Sequence, residues 1–149
     1  MNQVRKIWPL SSIILASAGI ALVGTGLYFI VLRPPLLPED LRYMGLSAGQ
    51  LNIVRPRLEA WLSNVFLVMG GYVLATGALT ITLAATSFRA HHWGAAIGVL
   101  IGGAASIGLM AAVNFAINSD FKWMIFSMAL LWVCSLGLFW FEMKSLEKI

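Results

Sequence analysis

The sequence predicts an all-α membrane protein. The expected fold is an antiparallel four-helix transmembrane bundle with one structured loop between its first and second helices. Three observations lead there. Of 149 residues, 60% are apolar and only 11% are charged, against about a quarter charged in an ordinary soluble domain. The apolar residues fall into four long stretches, at about 7–32, 61–87, 93–117 and 121–141. Each is close to the roughly 20 residues that cross a hydrocarbon core. The tryptophans mark the edges: Trp8, Trp61, Trp93 and Trp123 open the stretches and Trp140 closes the last, as in the aromatic belts of membrane interfaces. Residues 1–149 read as a single transmembrane domain.

The first span follows a short polar start containing Arg5 and Lys6. A cleaved signal peptide is the competing reading, with Ala16-Ser17-Ala18 as its cleavage site. The apolar run continues well past Ala18, which favours a retained span. Pro34 and Pro35 stop this helix.

Residues 33–60 form the only long polar segment. Pro38-Glu39-Asp40 suits the start of a short helix, with acids near the positive end of the helix dipole, and Gly45 suits its end. Ser47 and Gln50 have capping-box spacing for a second short helix over Ala48 to Val54. Pro56 then fits the first turn of the next long helix. Leucines throughout the segment make it amphipathic, so it should fold onto the bundle or lie in the headgroup layer.

In the second span Gly70, Gly77 and Ala84 recur every seven residues as a packing stripe. A short basic turn, FRAHH, makes the next span antiparallel. That third span carries the most regular pattern in the chain. Gly94, Gly98, Gly102 and Ser106 fall four residues apart, and Met110, Asn114 and Asn118 continue the row. Small residues at this spacing let helices approach closely in lipid. The third span is therefore expected to be the packing hub. Asn118-Ser119-Asp120 reads as a tight turn, and the fourth span, rich in Phe, Trp, Met and Leu, should face lipid or a partner chain.

Both termini share one side of a four-span protein. The basic residues divide equally between Arg5, Lys6, Arg89, Lys144 and Lys148 on that side and Arg33, Arg42, Arg55, Arg57 and Lys122 on the other. Short terminal segments and short turns weigh most in the positive-inside rule. The expectation is a bacterial inner-membrane protein with both termini cytoplasmic and the 33–60 loop opposite. The net charge of +4 lies around the spans rather than in a basic tract, so no nucleic-acid partner is implied.

The topology brings Arg33, Asn64, Asn114, Asn118 and Asp120, with Lys122, to one membrane face beneath the loop. Polar groups at such positions are candidates for function, here a polar mouth for a lipid headgroup or small amphiphile. The alternative is that the asparagines only bond between helices or cap them. Within the loop, Glu39, Asp40, Arg42, Tyr43, Arg55 and Arg57 are candidates for partner docking, with self-pairing of the charges as the plain alternative. A headgroup enzyme would need Glu39 and Asp40 to face a cavity. His91 and His92 are adjacent with no other ligand residue nearby, so no metal site is expected, and Cys134 has no second cysteine to pair with. No cofactor is expected either, because haem would want a histidine within a span. No span centre holds the acid that proton-coupled exchangers use.

The loop PEDLRYMG with PRL, followed by VMGGYVLATGALT, resembles segments of small four-span bacterial membrane proteins of unknown function. The overall pattern resembles the DoxX-like group of four-helix membrane proteins. The resemblance covers residues 38 to 140 and implies the four-helix fold, with no catalytic residue to carry over. The functional expectation is a non-enzymatic accessory or scaffold subunit, working through helix packing and the 33–60 loop with other membrane chains or with itself. The alternative is a binder or transporter of a small molecule or lipid at the polar mouth.

Overall fold

The computed structural model describes residues 8–146, apart from the side chains of residues 48 and 50. Arg5, Lys6, Lys148 and the Gln50 side chain of the expected capping box therefore lie outside the described residues. Four helices are long and apolar enough to cross a membrane: α1 (Leu10–Val31), α3 (Arg55–Ala85), α4 (Trp93–Ala116) and α5 (Lys122–Leu146). Between α1 and α3 lie the short helix α2 (Pro38–Met44) and a single 3₁₀ turn, Ala48–Leu51. Among the described residues there is no strand, and the protein is an integral-membrane four-helix bundle.

The loop follows local chemistry closely. Pro38 opens α2, and the Asp40 carboxylate reaches back to accept the N–H of Leu37 at 2.8 Å. Gly45 ends the helix at φ +65°, a left-handed position that glycine occupies without strain. The second short helix stops at Leu51, short of the expected Val54. Pro56 sits in the first turn of α3, which starts at Arg55.

Across the bundle the packing order is α3–α1–α5–α4. The closest pair is α1 with α3, and glycines on both helices make it so. A Cβ on Gly77 would meet the Gly19 carbonyl oxygen at 2.7 Å, and one on Gly26 would meet the Leu74 nitrogen at 2.6 Å and the Gly70 oxygen at 2.8 Å. Backbone thus lies on backbone at two levels, Gly19 with Gly77 and Gly26 with Gly70. One more seven-residue step reaches Ser12 and Ala84, both buried. In lipid no hydrophobic force draws apolar helices together, so this close van der Waals contact is what holds the pair.

The expected hub on the third span is corrected by this arrangement. Gly94 and Gly98 are exposed, and a Cβ on Gly94, Gly98 or Gly102 would meet nothing within 4 Å. Their ridge faces away from the other helices. The inward face of α4 is instead Ala95, Ala96, Val99, Gly103, Ile107 and Ala111. Here Trp132 of α5, the one tryptophan inside a span, is 4% exposed and lies flat on Gly103. Its indole N–H donates to the Val99 carbonyl at 2.8 Å. The next turn, Ala104–Gly108, is a π turn, a local widening of the helix.

At the end of the bundle that holds both termini, Phe88 and Phe139 pack at a tilt with ring centroids 4.6 Å apart. The α5 helix runs to Leu146 rather than stopping at Phe141, and Glu142 is part of it. Its carboxylate accepts the backbone N–H of Ser11 at 3.1 Å and the Ser11 hydroxyl at 2.5 Å.

Candidate functional site: a cleft beneath the loop

The α3 and α4 helices flank the bundle and have little contact with each other. Their halves nearest the 33–60 loop stand apart and form the walls of a cleft whose floor is α1 and α5. Its volume is about 1170 Å³, above the usual range for small-molecule sites. The loop segment from Arg33 to Asp40 closes it at one end.

The deep part is apolar, lined by Ala21, Leu22, Val73, Ile107, Ile125 and Met128 among others. Three hydroxyls interrupt it, and each donates to its own helix. Thr25 bonds to the Ala21 carbonyl at 2.9 Å, Thr76 to Tyr72 at 2.8 Å and Ser106 to Gly102 at 2.5 Å. Donation to the carbonyl one turn back satisfies a hydroxyl in an apolar setting, so the depth of the cleft offers oxygen lone pairs and few free donors.

The loop end is polar. Arg33, Glu39, Asp40 and Asn114 line it beside Tyr28, Phe29, Phe66 and Phe121. The Arg33 guanidinium lies 3.4 Å from the Phe66 ring centroid and 5.4 Å from that of Phe29. It donates to the Pro34 carbonyl at 2.9 Å and to Asp40 at 3.4 Å. Burial pulls the Arg33 pKa below its ordinary value, and Asp40 acts in the opposite direction. Glu39 is 5% exposed, and its Oε1 accepts the buried Ser119 hydroxyl at 2.8 Å. The Asn114 amide donates to the Met110 carbonyl at 2.8 Å.

The residues expected at the mouth are thus divided. Arg33 and Asn114 line the cleft. Asn64 is exposed on α3, bonds to the Ala60 carbonyl at 3.0 Å and takes no part in the cleft wall. The α4 helix ends at Ala116, so Asn118 leaves the ridge. It adopts φ +52° and accepts a hydrogen bond from Lys122. Asp120 is exposed and pairs with Arg42 at 3.0 Å, tying α2 to the α4–α5 turn.

The docking candidates divide as well. Tyr43, Arg55 and Arg57 face outward, with Arg55 paired to Glu59 at 2.8 Å within its own helix. Glu39 and Asp40 turn inward, against the expectation of an outward docking face. Sequence reasoning missed the bond from Ser119 to Glu39, because a serine in a three-residue turn gives no sign of its distant partner.

A second polar cluster lies at the opposite end. Besides holding Ser11, Glu142 is 3.1 Å from His91 Nε2, and His91 stacks on Phe139. The Ser135 hydroxyl donates to the Ser11 carbonyl at 2.9 Å. The Ser11 hydroxyl donates to the carboxylate rather than to the imidazole, and Ser11 is fully buried. A serine nucleophile needs its proton directed at a base and its oxygen within reach of substrate, so this cluster works as a clasp. His91, in the basic turn, is thereby a clasp residue. Among the described residues no three His, Cys, Asp or Glu side chains gather in a metal-holding group.

No family model, no curated protein and no solved structure matches the chain.

Proposed function

We propose that the protein binds an amphiphile, a lipid or lipid-like small molecule, in the cleft beneath the 33–60 loop, without turning it over. The observation that supports this most is the polarity gradient of the cleft. Charged and amide groups gather at the loop end, while some three turns of helix away the walls are alkyl and thioether. An amphiphile has that same gradient, and the gap between α3 and α4 lets one enter sideways from the bilayer. The Thr25, Thr76 and Ser106 hydroxyls are bonded to their own backbone, with no base aligned on any of them, which favours holding over catalysis.

In this reading the protein sits in a bacterial inner membrane, with the loop and the polar mouth on the face opposite the cytoplasmic termini. Arg89 over Trp8 and Lys144 over Trp140 set basic residues at the interface of the termini side.

The test is native mass spectrometry of protein extracted gently from its own membrane, alongside Asn114→Leu. Retention of a defined amphiphile by the parent protein, weakened in Asn114→Leu without loss of fold, supports the reading. Equal retention by the two proteins removes the polar mouth from the site, and a ligand-free monomer removes the reading.

A second reading, an accessory subunit that associates through α4, is favoured by one observation. Gly94, Gly98 and Gly102 stand free of the rest of the bundle, on a helix whose neighbouring Ile97 and Ile101 are exposed. A defined oligomer or a co-purifying chain in the same spectra would support it.

A further inference from the structure

We infer that the amphiphile's head is a cation, a long-chain ammonium, and that Glu39 is the residue that selects it. The inference rests on the amphiphile reading above and adds the charge of the ligand.

The charge balance of the cleft carries the argument. Three acidic or basic side chains line it: Arg33, Glu39 and Asp40. Arg33 and Asp40 are matched to each other at 3.4 Å. The rest of Arg33 is occupied as well. Its donors reach the Pro34 and Pro35 carbonyls, and its face lies on Phe66. Asp40 Oδ2 also takes the Leu37 N–H. Both are thus engaged with each other and with neighbouring backbone. Glu39 differs. No ion pair of the described residues includes it, and its recorded hydrogen-bond partner is the neutral Ser119 hydroxyl on Oε1. A carboxylate 5% exposed, beside alkyl and aromatic side chains, is costly unless a positive charge compensates it. The one guanidinium, Arg33, is within electrostatic reach of Glu39 as well as Asp40, so two acidic groups share it, and a cationic head complements the acid left in excess.

Two features agree. The aromatic rings of Tyr28 and Phe121 line the same end, and ring faces attract ammonium groups more than carboxylates or phosphates. The Thr25, Thr76 and Ser106 hydroxyls present lone pairs to the cleft, since each donates to a carbonyl of its own helix; a donor head such as an ammonium passes them more favourably than an anion does. The stretch from Ala21 to Phe29 on the floor amounts to roughly 12 Å of helix at 1.5 Å per residue, enough for much of an alkyl chain.

The test uses the full chain in phosphatidylcholine nanodiscs at neutral pH, with three probes of equal tail length: hexadecylammonium, hexadecanol and hexadecanoate. Retention is read by native mass spectrometry and by thermal shift. The expected order is ammonium first, by roughly tenfold or more over the alcohol, with the carboxylate last. In Glu39→Gln, whose amide oxygen still accepts from Ser119, the ammonium and the alcohol should come within about threefold of each other. A preference for the carboxylate, equal retention of all three by the parent protein, or an ammonium preference that survives Glu39→Gln overturns the inference. If none of the probes is retained, the amphiphile reading itself falls, and the selectivity with it. The order of the three in the parent protein decides the matter even if Glu39→Gln does not fold.

Discussion

The carboxylate of Glu142 caps the start of α1 from the far end of the chain, accepting both the backbone N–H and the hydroxyl of Ser11 across 131 positions of sequence. Pro9, at the N-cap, provides no side-chain bond to the N–H groups of the first turn. Glu142 does so instead, placing a negative charge at the positive end of the helix dipole. It also pairs with His91, in the α3–α4 turn. One side chain thus fastens α1, α5 and the turn between α3 and α4.

Removing that side chain should loosen the end of the bundle holding the termini. Glu142→Ala leaves the buried Ser11 hydroxyl and N–H without their acceptor, at a cost of about 3 kcal/mol. His91→Phe keeps the stacking on Phe139 and removes only one bond to the carboxylate, at about 1 kcal/mol. Thermal unfolding in mild detergent should rank parent, His91→Phe and Glu142→Ala in that order. Equal midpoints for the parent and Glu142→Ala would show that the clasp carries no stability.

The two sets of glycines should respond oppositely to substitution. In Gly77→Ala the new methyl meets the Gly19 oxygen at 2.7 Å and the Val23 nitrogen at 2.7 Å. Backbone cannot swing aside, so α1 and α3 must separate, at about 1–3 kcal/mol. In Gly98→Ala the methyl meets nothing, and the monomer should keep its stability or gain slightly from helix propensity. Paired unfolding measurements check the contrast. If Gly98→Leu instead dissociates an oligomer while each monomer stays folded, the α4 ridge is an interface between chains.

This contrast also shows what sequence spacing conveys. The seven-residue step of Gly70, Gly77 and Ala84 was legible, and Gly19 and Gly26 carry the same step on α1. Spacing says where a helix permits close approach, not which helix arrives, so the more conspicuous row of Gly94, Gly98 and Gly102 gave a misleading hub. The four spans, the proline stops and the Gly45 ending were legible because length, ring geometry and φ are local properties. That Arg33 and Asn114 lie together beneath the loop was legible because both are near helix ends on the loop side. The inward turn of Glu39 was not legible, because the direction in which a seven-residue helix faces depends on ties to other parts of the chain, Arg33 to Asp40 and Arg42 to Asp120. The α5 helix continues past Phe141 for the same reason. A glutamate normally ends an apolar helix, unless partners such as Ser11 and His91 await it.

At mid-span, Trp132 and Gly103 form a lock between α5 and α4. A Cβ on Gly103 would fall 2.1 Å from the indole nitrogen, so Gly103→Ala must displace the ring and break its bond to the Val99 carbonyl. Trp132→Phe removes the bond and leaves most of the ring contact, costing about 1 kcal/mol from the bond and somewhat more from lost packing. Gly103→Ala should be the more destabilising of the two. Its tryptophan fluorescence should also shift to the red, because Trp132 is the buried indole among exposed ones. An unshifted spectrum would mean that the ring does not lie on Gly103.

Filling the cleft separates binding from stability. Ser106 lies in the π turn of α4 and lines the deep wall. Its hydroxyl bonds only to its own helix in the structure, so Ser106→Phe forfeits about 1 kcal/mol of hydrogen bonding. The phenyl ring recovers a similar amount by packing against Met110 and Met128 across the cleft. Stability should therefore stay within about 1 kcal/mol of the parent. The ring also takes the volume that an alkyl tail would occupy, so retention of hexadecylammonium should fall by roughly tenfold or more. Glu39→Gln should act differently, lowering retention of the ammonium while leaving that of hexadecanol unchanged. Ser106→Phe should lower both. A Ser106→Phe protein that still retains both probes would place the tail somewhere other than between α3 and α4.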